Sequence, residues 1–136
     1  MAHERGLSEF IYCGFHEDVV PYVSVFDVGF ILSDSIETIS FAAREMMSMG
    51  KPLISSSFSG LKENFIHEIN GILINQKDIR SLVSAMKYFL DMDKHELETF
   101  SKKAREYAVD HFDIGIQKNR HLLLYNNLLL QNNIGI

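Results

Sequence analysis

The sequence predicts an α/β domain in which a parallel sheet is covered by helices on both faces. Short apolar runs alternate with segments of helical periodicity along the chain. The runs are continuously apolar rather than alternating, which is typical of strands buried on both faces. Turn-forming residues such as Gly14, Gly50 and the Asn70–Gly71 pair separate the segments. This alternation of strands and helices builds layered α/β domains.

Four short apolar runs are the predicted strands. In chain order they are Phe10–Cys13, Asp27–Leu32, Pro52–Ser55 and Ile72–Ile74. Cys13, the single cysteine of the chain, is predicted to be a small buried hydrophobic residue inside the first run.

Five segments have helical character. In chain order they are Glu17–Val25, Thr38–Met49, Ile79–Leu90, His95–Phe112 and Ile114–Asn132. Gly50 lies where the second helix would end in a left-handed cap, and Asp78 where the third would have its N-cap. Gly60–Phe65 is predicted to be a turn or a short helix.

The composition is that of one globular domain and argues against several classes of protein. The chain has 136 residues, of which 46% are hydrophobic and 23% are charged. A net charge of −5 without basic runs makes non-specific nucleic-acid binding a poor fit. One cysteine excludes an intrachain disulfide framework. The longest apolar stretch, Val19–Leu32, is broken by Asp27 and is too short to span a bilayer.

Two glutamates eight residues apart, Glu37 and Glu45, are the strongest sequence signal for a ligand. One stands where a helix begins and the other lies inside that helix. A rise of roughly 1.5 Å per residue separates them by roughly 12 Å, and their directions differ by only about 80°. Both can therefore face one long ligand and accept hydrogen bonds from its hydroxyl groups. A nucleotide sugar has hydroxyl groups at both ends and negative charge in the middle.

Three predicted loops follow the carboxyl ends of strands, where ligands bind in open parallel sheets. They are Gly14–Glu17, Ser33–Glu37 and Ser55–Gly60. The helix that begins near Thr38 points its free N–H groups and its dipole into this crevice, which favours a diphosphate. Two roles remain open for Ser40: its side chain caps this helix, or it donates a hydrogen bond to a phosphate.

The segment Ser33–Ser55 resembles the signature of family 4 glycosyltransferases, because the glutamate spacing is followed by Gly-Lys-Pro and a later glycine turn. The similarity covers roughly residues 8–125. Its other matching positions are Gly14, Tyr22, Phe26–Val28, Gly60–Glu63 and Asn70–Ile74.

The resemblance implies the GT-B architecture, in which two Rossmann-like domains face each other across a cleft. The C-terminal domain of this architecture holds the nucleotide sugar, and the N-terminal domain supplies most of the acceptor site. The chain then corresponds to one partial domain, 1–136, with a donor-binding core at 8–92 and C-terminal helices at 93–136. The acceptor domain is absent from it. The implied substrate is a UDP- or GDP-sugar, the transfer retains anomeric configuration, and neither a cofactor nor a metal is expected.

The resemblance also implies roles for individual residues. Glu37, the implied catalytic residue, would bind hydroxyls of the donor sugar, and Glu45 would bind the ribose hydroxyls. The further donor-binding positions are the backbone amides of Thr38, Ile39 and Ser40 at the diphosphate, Phe15 and His16 near the nucleobase, and Glu63. For Glu63, contact with the ligand and capping of a local turn remain equal alternatives.

The chain departs from the family pattern in two ways. Thr38 stands where the family often has glycine or serine. Family members also carry an upstream basic pair that neutralises the diphosphate, and Arg5 is the one candidate before Phe10. Because charge builds on the diphosphate as it leaves, cations there should supply much of the rate enhancement. The isolated chain is therefore predicted to be inactive.

Other conspicuous side chains have ordinary explanations. Lys51 is expected to be a turn residue rather than a phosphate ligand. Met46, Met47 and Met49 are expected to pack in the core or at the edge of a helix. Surface positions are expected for His67, His95, His111 and His121, which lack metal-like spacing.

Two hypotheses of function remain. The chain is either the donor-binding part of a hexosyltransferase-type enzyme of polysaccharide biosynthesis, or a stand-alone binding or regulatory subunit without catalysis. A generic Rossmann-like nucleotide binder is disfavoured because neither a Gly-x-Gly-x-x-Gly motif nor a phosphate-loop motif is present. Expected partners are the nucleotide sugar and an acceptor domain or subunit, with no nucleic acid. Self-association through Leu122–Leu124 and Leu128–Leu130 is a further expectation. A cytoplasmic location is expected, with indirect contact to the inner membrane face through the acceptor domain.

Overall fold

The computed structural model describes residues 10–33, 35 and 38–132, and it contains strands and helices in alternation. The strands are β1 (Gly29–Ile31), β2 (Leu53–Ser56) and β3 (Gly71–Ile74). The α-helices are α1 (Val20–Ser24), α2 (Phe41–Ser48), α3 (Ile79–Leu90), α4 (Lys94–Phe112) and α5 (Ile114–Asn132). A 3-10 helix spans Ser59–Asn64, where a turn or short helix is predicted.

The three strands form one parallel sheet in the order β1-β2-β3. Gly29 aligns with Leu53, and Leu53 aligns with Gly71. A side chain at Gly29 would clash with Leu53 and Met46, so glycine allows the close approach between β1 and its neighbours. Within the described residues, the outer edge of β1 has no strand partner.

Both faces of the sheet are covered around the central strand β2, which is buried at all four positions as the continuous apolar runs predict, whereas Phe30 in the edge strand β1 is exposed. On one face the core cluster consists of Ile54, Ile72, Ile74, Ala85, Phe89 and Phe100. On the other face it consists of Ala43, Met47, Leu53, Phe65 and Ala108. The long helix α4 contributes Phe100 to the first cluster and Ala108 to the second, so it joins the two layers.

The helix caps confirm most of the predicted boundaries. The Asp78 carboxylate accepts hydrogen bonds from the Arg80 and Ser81 amides, and Gly50 has a φ of 72° after α2. α2 begins at Phe41, however, and not at Thr38 as predicted. Ser40 is extended and its side chain caps the helix, which places the residues before it outside the first turn.

The predicted strand at Phe10–Cys13 is wrong. These residues have no regular secondary structure, and Ile11 is 81% exposed. Cys13 is exposed as well, contrary to its predicted burial. An apolar run can form a buried strand only where a neighbouring strand takes up its backbone hydrogen bonds, and none of the described strands pairs with this segment.

α5 follows α4 directly and has the predicted bounds. Its seven large apolar side chains from Leu122 to Leu130 are all exposed, and they surround the helix rather than forming one stripe. Among the described residues, no helix has both the length and the apolar character of a membrane span.

Candidate functional site

The predicted ligand edge of the sheet is built around the start of α2. Ser40 is buried at 6% exposure, and its hydroxyl oxygen accepts a hydrogen bond from the Ala43 amide at 3.2 Å. The structure therefore shows the capping role of Ser40. Thr38 and Ile39 are exposed immediately before this helix, where its positive dipole end lies.

The 3-10 helix packs closely against this approach to α2. A methyl group at Gly60 would lie 1.8 Å from the carbonyl oxygen of Thr38. Only glycine allows the two backbones to come so near, so the two segments hold each other in position. Glu63 is exposed on the same 3-10 helix. Its side chain has no hydrogen-bond or ion-pair partner among the described residues, so capping of a local turn is not observed.

Serine side chains tie together the carboxyl ends of β1 and β2. The Ser33 amide donates to the hydroxyl oxygen of Ser56 at 2.8 Å, and that hydroxyl donates to the Ser33 carbonyl at 2.9 Å. Gln76, after β3, donates to the same carbonyl at 3.4 Å. The segment that leads to Glu37 is thus anchored at Ser33 by the end of β2 and by the loop after β3.

Glu45 lines a cavity of about 530 Å³ between the start of α1, the outer face of α2 and the junction of α4 with α5. Its carboxylate is exposed and, among the described residues, has no hydrogen-bond or ion-pair partner, so both oxygens are available to a ligand. The lining residues are Glu17, Asp18, Val19, Val20, Phe41, Arg44, Glu45, Ser48, Met49, Phe112, Ile114 and Gln117.

Arg44 is a lining residue that sequence reasoning missed. Its Nε donates to the Asn64 side-chain oxygen at 3.0 Å, and its guanidinium carbon lies 4.4 Å from the centre of the Phe112 ring. The sequence held one signal for it, a cation directly before Glu45 in an otherwise apolar helix. Its partners are distant in sequence and become visible only in the fold.

The loop before α1 holds the two residues predicted to lie near a nucleobase. Phe15 is 90% exposed. His16 stacks on Tyr22 with ring centres 4.1 Å apart. Its Nε2 donates to the Cys13 carbonyl at 2.6 Å, so the neutral ring accepts from the Tyr22 hydroxyl at Nδ1, at 3.0 Å. Neither side chain lines the Glu45 cavity, whereas Glu17 does.

Glu37 lies outside the described residues, so the spacing between its carboxylate and that of Glu45 stays a prediction. Lys51 has the turn role that the sequence predicts. Its ammonium group donates to the Ser24 carbonyl at 3.0 Å and so joins the turn after α2 to α1. The four histidines predicted at the surface are exposed. The described residues contain no cluster of three or more His, Cys, Asp or Glu side chains arranged to hold a metal.

Comparisons with known proteins identify the family and the fold of the chain. The sequence model of the family described as "Glycosyl transferases group 1" matches residues 1–92. The putative colanic acid biosynthesis glycosyltransferase WcaL of Escherichia coli K12 is 34% identical over 76 residues, which are 56% of this chain and 18% of that protein.

Solved structures show the same fold. HepE of Anabaena, solved in complex with UDP, superposes with a TM-score of 0.81 at 22% identity, over 91% of this chain and 35% of that one. Sucrose-phosphate synthase of Thermosynechococcus elongatus superposes with a TM-score of 0.81 at 27% identity, over 96% of this chain and 33% of that one. The C-terminal domain of the glycosyl transferase group 1 family protein LpcC of Francisella tularensis superposes with a TM-score of 0.70 at 14% identity, over 83% of this chain and 59% of that one. The chain thus spans about a third of the first two structures, and the described fold is the Rossmann-like fold of GT-B glycosyltransferase domains.

Proposed function

Because the chain belongs to the glycosyl transferases group 1 family, we propose that it is the donor-binding domain of a retaining glycosyltransferase. The enzyme would transfer a sugar from a nucleotide-diphosphate sugar to a glycan or lipid-linked acceptor. The observation that carries this proposal is the unpartnered Glu45 carboxylate in a cavity beside α2, a helix whose capped start lies at the carboxyl edge of the sheet.

The geometry supports separate ligand contacts at the start of α2 and at Glu45 inside it. Free N–H groups at the helix start suit the diphosphate, because the helix dipole favours negative charge there. Glu45, one turn inside the helix, suits the ribose, because a carboxylate accepts two hydroxyl hydrogen bonds. Glu37, before the helix, would then meet the sugar as the catalytic residue. Phe15, His16 and Glu63 remain proposed donor contacts.

The relatives narrow the choice of ligands to test. HepE has been solved with UDP and with UDP-glucose, so UDP is the first nucleotide to try and GDP the second. The name of WcaL points to polysaccharide biosynthesis, and we extend that role, in the cytoplasm, to this chain. No cofactor or metal enters the proposed donor site, so EDTA should leave nucleotide affinity unchanged.

Calorimetric titration with UDP, GDP and their sugars tests the proposal. Replacing Glu45 by alanine should weaken UDP about tenfold or more, even with no sugar attached, because the hydrogen bonds of a charged group to the ribose are lost. Glu37→Gln should weaken only sugar-bearing ligands. Glu98→Ala, an exposed glutamate of α4, is the matched control and should bind as the wild type does. If no nucleotide bound to the wild-type chain, the donor-site reading would fail.

A second candidate is a stand-alone glycosyltransferase-like subunit that binds donor without catalysis. The chain spans only about a third of the solved structures it resembles, and the resemblance to family 4 glycosyltransferases implies that most of the acceptor site belongs to the other domain. We expect the purified chain to bind nucleotide and to transfer little or no sugar. Robust transfer to an acceptor by the chain alone would contradict this expectation.

A further inference from the structure

Arg44 is a cation in a cavity whose other lining residues are three carboxylates, apolar groups and the uncharged polar residues Ser48 and Gln117. Glu17, Asp18 and Glu45 line the same cavity. Within the described part of the chain, no carboxylate lies within ion-pair distance of Arg44, and its one hydrogen bond uses Nε. The two terminal guanidinium nitrogens are therefore not engaged with any described residue.

Two contacts fix the guanidinium in place. Asn64 is fully buried, and its oxygen receives the Arg44 Nε–H, while its own Nδ2 has no partner among the described atoms. The aromatic ring of Phe112 supports the guanidinium from α4. A planar guanidinium that is already held loses little freedom when its remaining donors bind a ligand.

We infer that Arg44 is a donor-binding residue, whose terminal nitrogens bind oxygen acceptors of the nucleotide in the Glu45 cavity, and that Asn64 is its positioning residue. This inference rests on the proposed function. Three carboxylates alone would repel an anionic nucleotide, and a fixed guanidinium in the same cavity offsets part of that repulsion. The acceptor is an oxygen of either the nucleoside or the phosphates.

If Arg44 had a purely structural role, its replacement would lower the melting temperature without changing the affinity for UDP. Arg44 also joins α2 to the 3-10 helix and to the end of α4, so its loss should lower the melting temperature in any case. Arg105 offers a matched control, because its Nη1 donates to the Ser48 carbonyl at the other end of α2 without lining the cavity. Arg44→Met removes a guanidinium group from α2 itself, and Arg105→Met removes one from α4 that contacts the end of α2.

The experiment is titration of UDP and of uridine into wild type, Arg44→Met, Arg44→Lys, Asn64→Leu and Arg105→Met, with melting temperatures measured alongside. Arg44→Met should weaken UDP about tenfold or more, Asn64→Leu should weaken it less, and Arg44→Lys should recover part of the loss. Arg105→Met should bind as the wild type does. If Arg44→Met loses affinity equally for uridine and UDP, the acceptor oxygen belongs to the nucleoside. If it loses affinity for UDP alone, the acceptor oxygen belongs to the phosphates.

The inference is overturned if Arg44→Met lowers the melting temperature but binds UDP as tightly as the wild type, or if Arg105→Met loses as much affinity. Either result leaves the proposed function intact, since the wild type still binds. Absence of wild-type binding would instead count against the proposed function itself.

Discussion

At the scale of single residues, the candidate site depends on a close backbone contact as well as on charged side chains. Gly60 lies against the carbonyl of Thr38, with no room for even a methyl group. The contact fixes the approach to α2, where the proposed diphosphate donors begin. Glycine at this position therefore serves the site although it has no functional group.

Replacing Gly60 by alanine should destabilise the domain by about 3 kcal/mol, since backbone must move to admit the new methyl group. Nucleotide affinity should fall too, because the moving backbone belongs to Thr38. Chemical denaturation and titration with UDP measure the two effects. Gly115→Ala is the control, since its methyl group would meet only the movable Asp113 side chain. Equal stability of the two variants would contradict the tight contact.

At the scale of elements, α4 holds the two layers together, and its start is strongly capped. The Asp93 carboxylate accepts from the Glu96 amide at 2.8 Å, and the Glu96 carboxylate accepts from the Asp93 amide at 3.0 Å. This reciprocal pair is a capping box. It sets where α4 begins, and thereby how Phe100 and Ala108 reach the two faces of the sheet.

Asp93→Ala should lower the free energy of unfolding by about 1 kcal/mol, the usual cost of losing an N-cap. Urea denaturation followed by circular dichroism measures the change. Asp110→Ala, on the exposed face of the same helix, should change stability much less. A similar loss in both variants would mean that the capping box contributes nothing of its own.

The elements also show what the sequence could and could not predict. Helix ends were predictable where the signal is local, as with Asp78 and Gly50, because a cap lies within a few residues of what it caps. The irregular structure of Phe10–Cys13 could not be predicted in this way, because an apolar run does not reveal whether a neighbouring strand pairs with it. Arg44 was missed for the same reason, since Asn64 and Phe112 approach it only in the folded chain.

At the scale of the whole molecule, α5 exposes seven large apolar side chains between Leu122 and Leu130. A helix that is apolar on all sides is normally buried. We expect the isolated chain to self-associate through Leu122–Leu124 and Leu128–Leu130, as the sequence predicts.

Substituting lysine for Leu123 and Leu130 should reduce this association, since the two side chains share one face of α5 and are 63% and 64% exposed. Because neither belongs to the core, the melting temperature measured at low concentration should hardly change. Sedimentation velocity over a range of concentrations measures the effect. Lys118→Gln, on the polar first half of α5, is the control. A monomeric wild type at every concentration would refute the expectation.

The open edge of β1 has a consequence for chain topology. α1 lies beside α2, since both line the Glu45 cavity and Lys51 joins the turn after α2 to Ser24. Crossovers between parallel strands are right-handed in nearly all proteins. A strand that leads into α1 on this face must therefore enter the sheet on the open side of β1. Phe10–Cys13 precedes α1 in the chain but has no regular secondary structure, so within the described residues this side of β1 carries no strand.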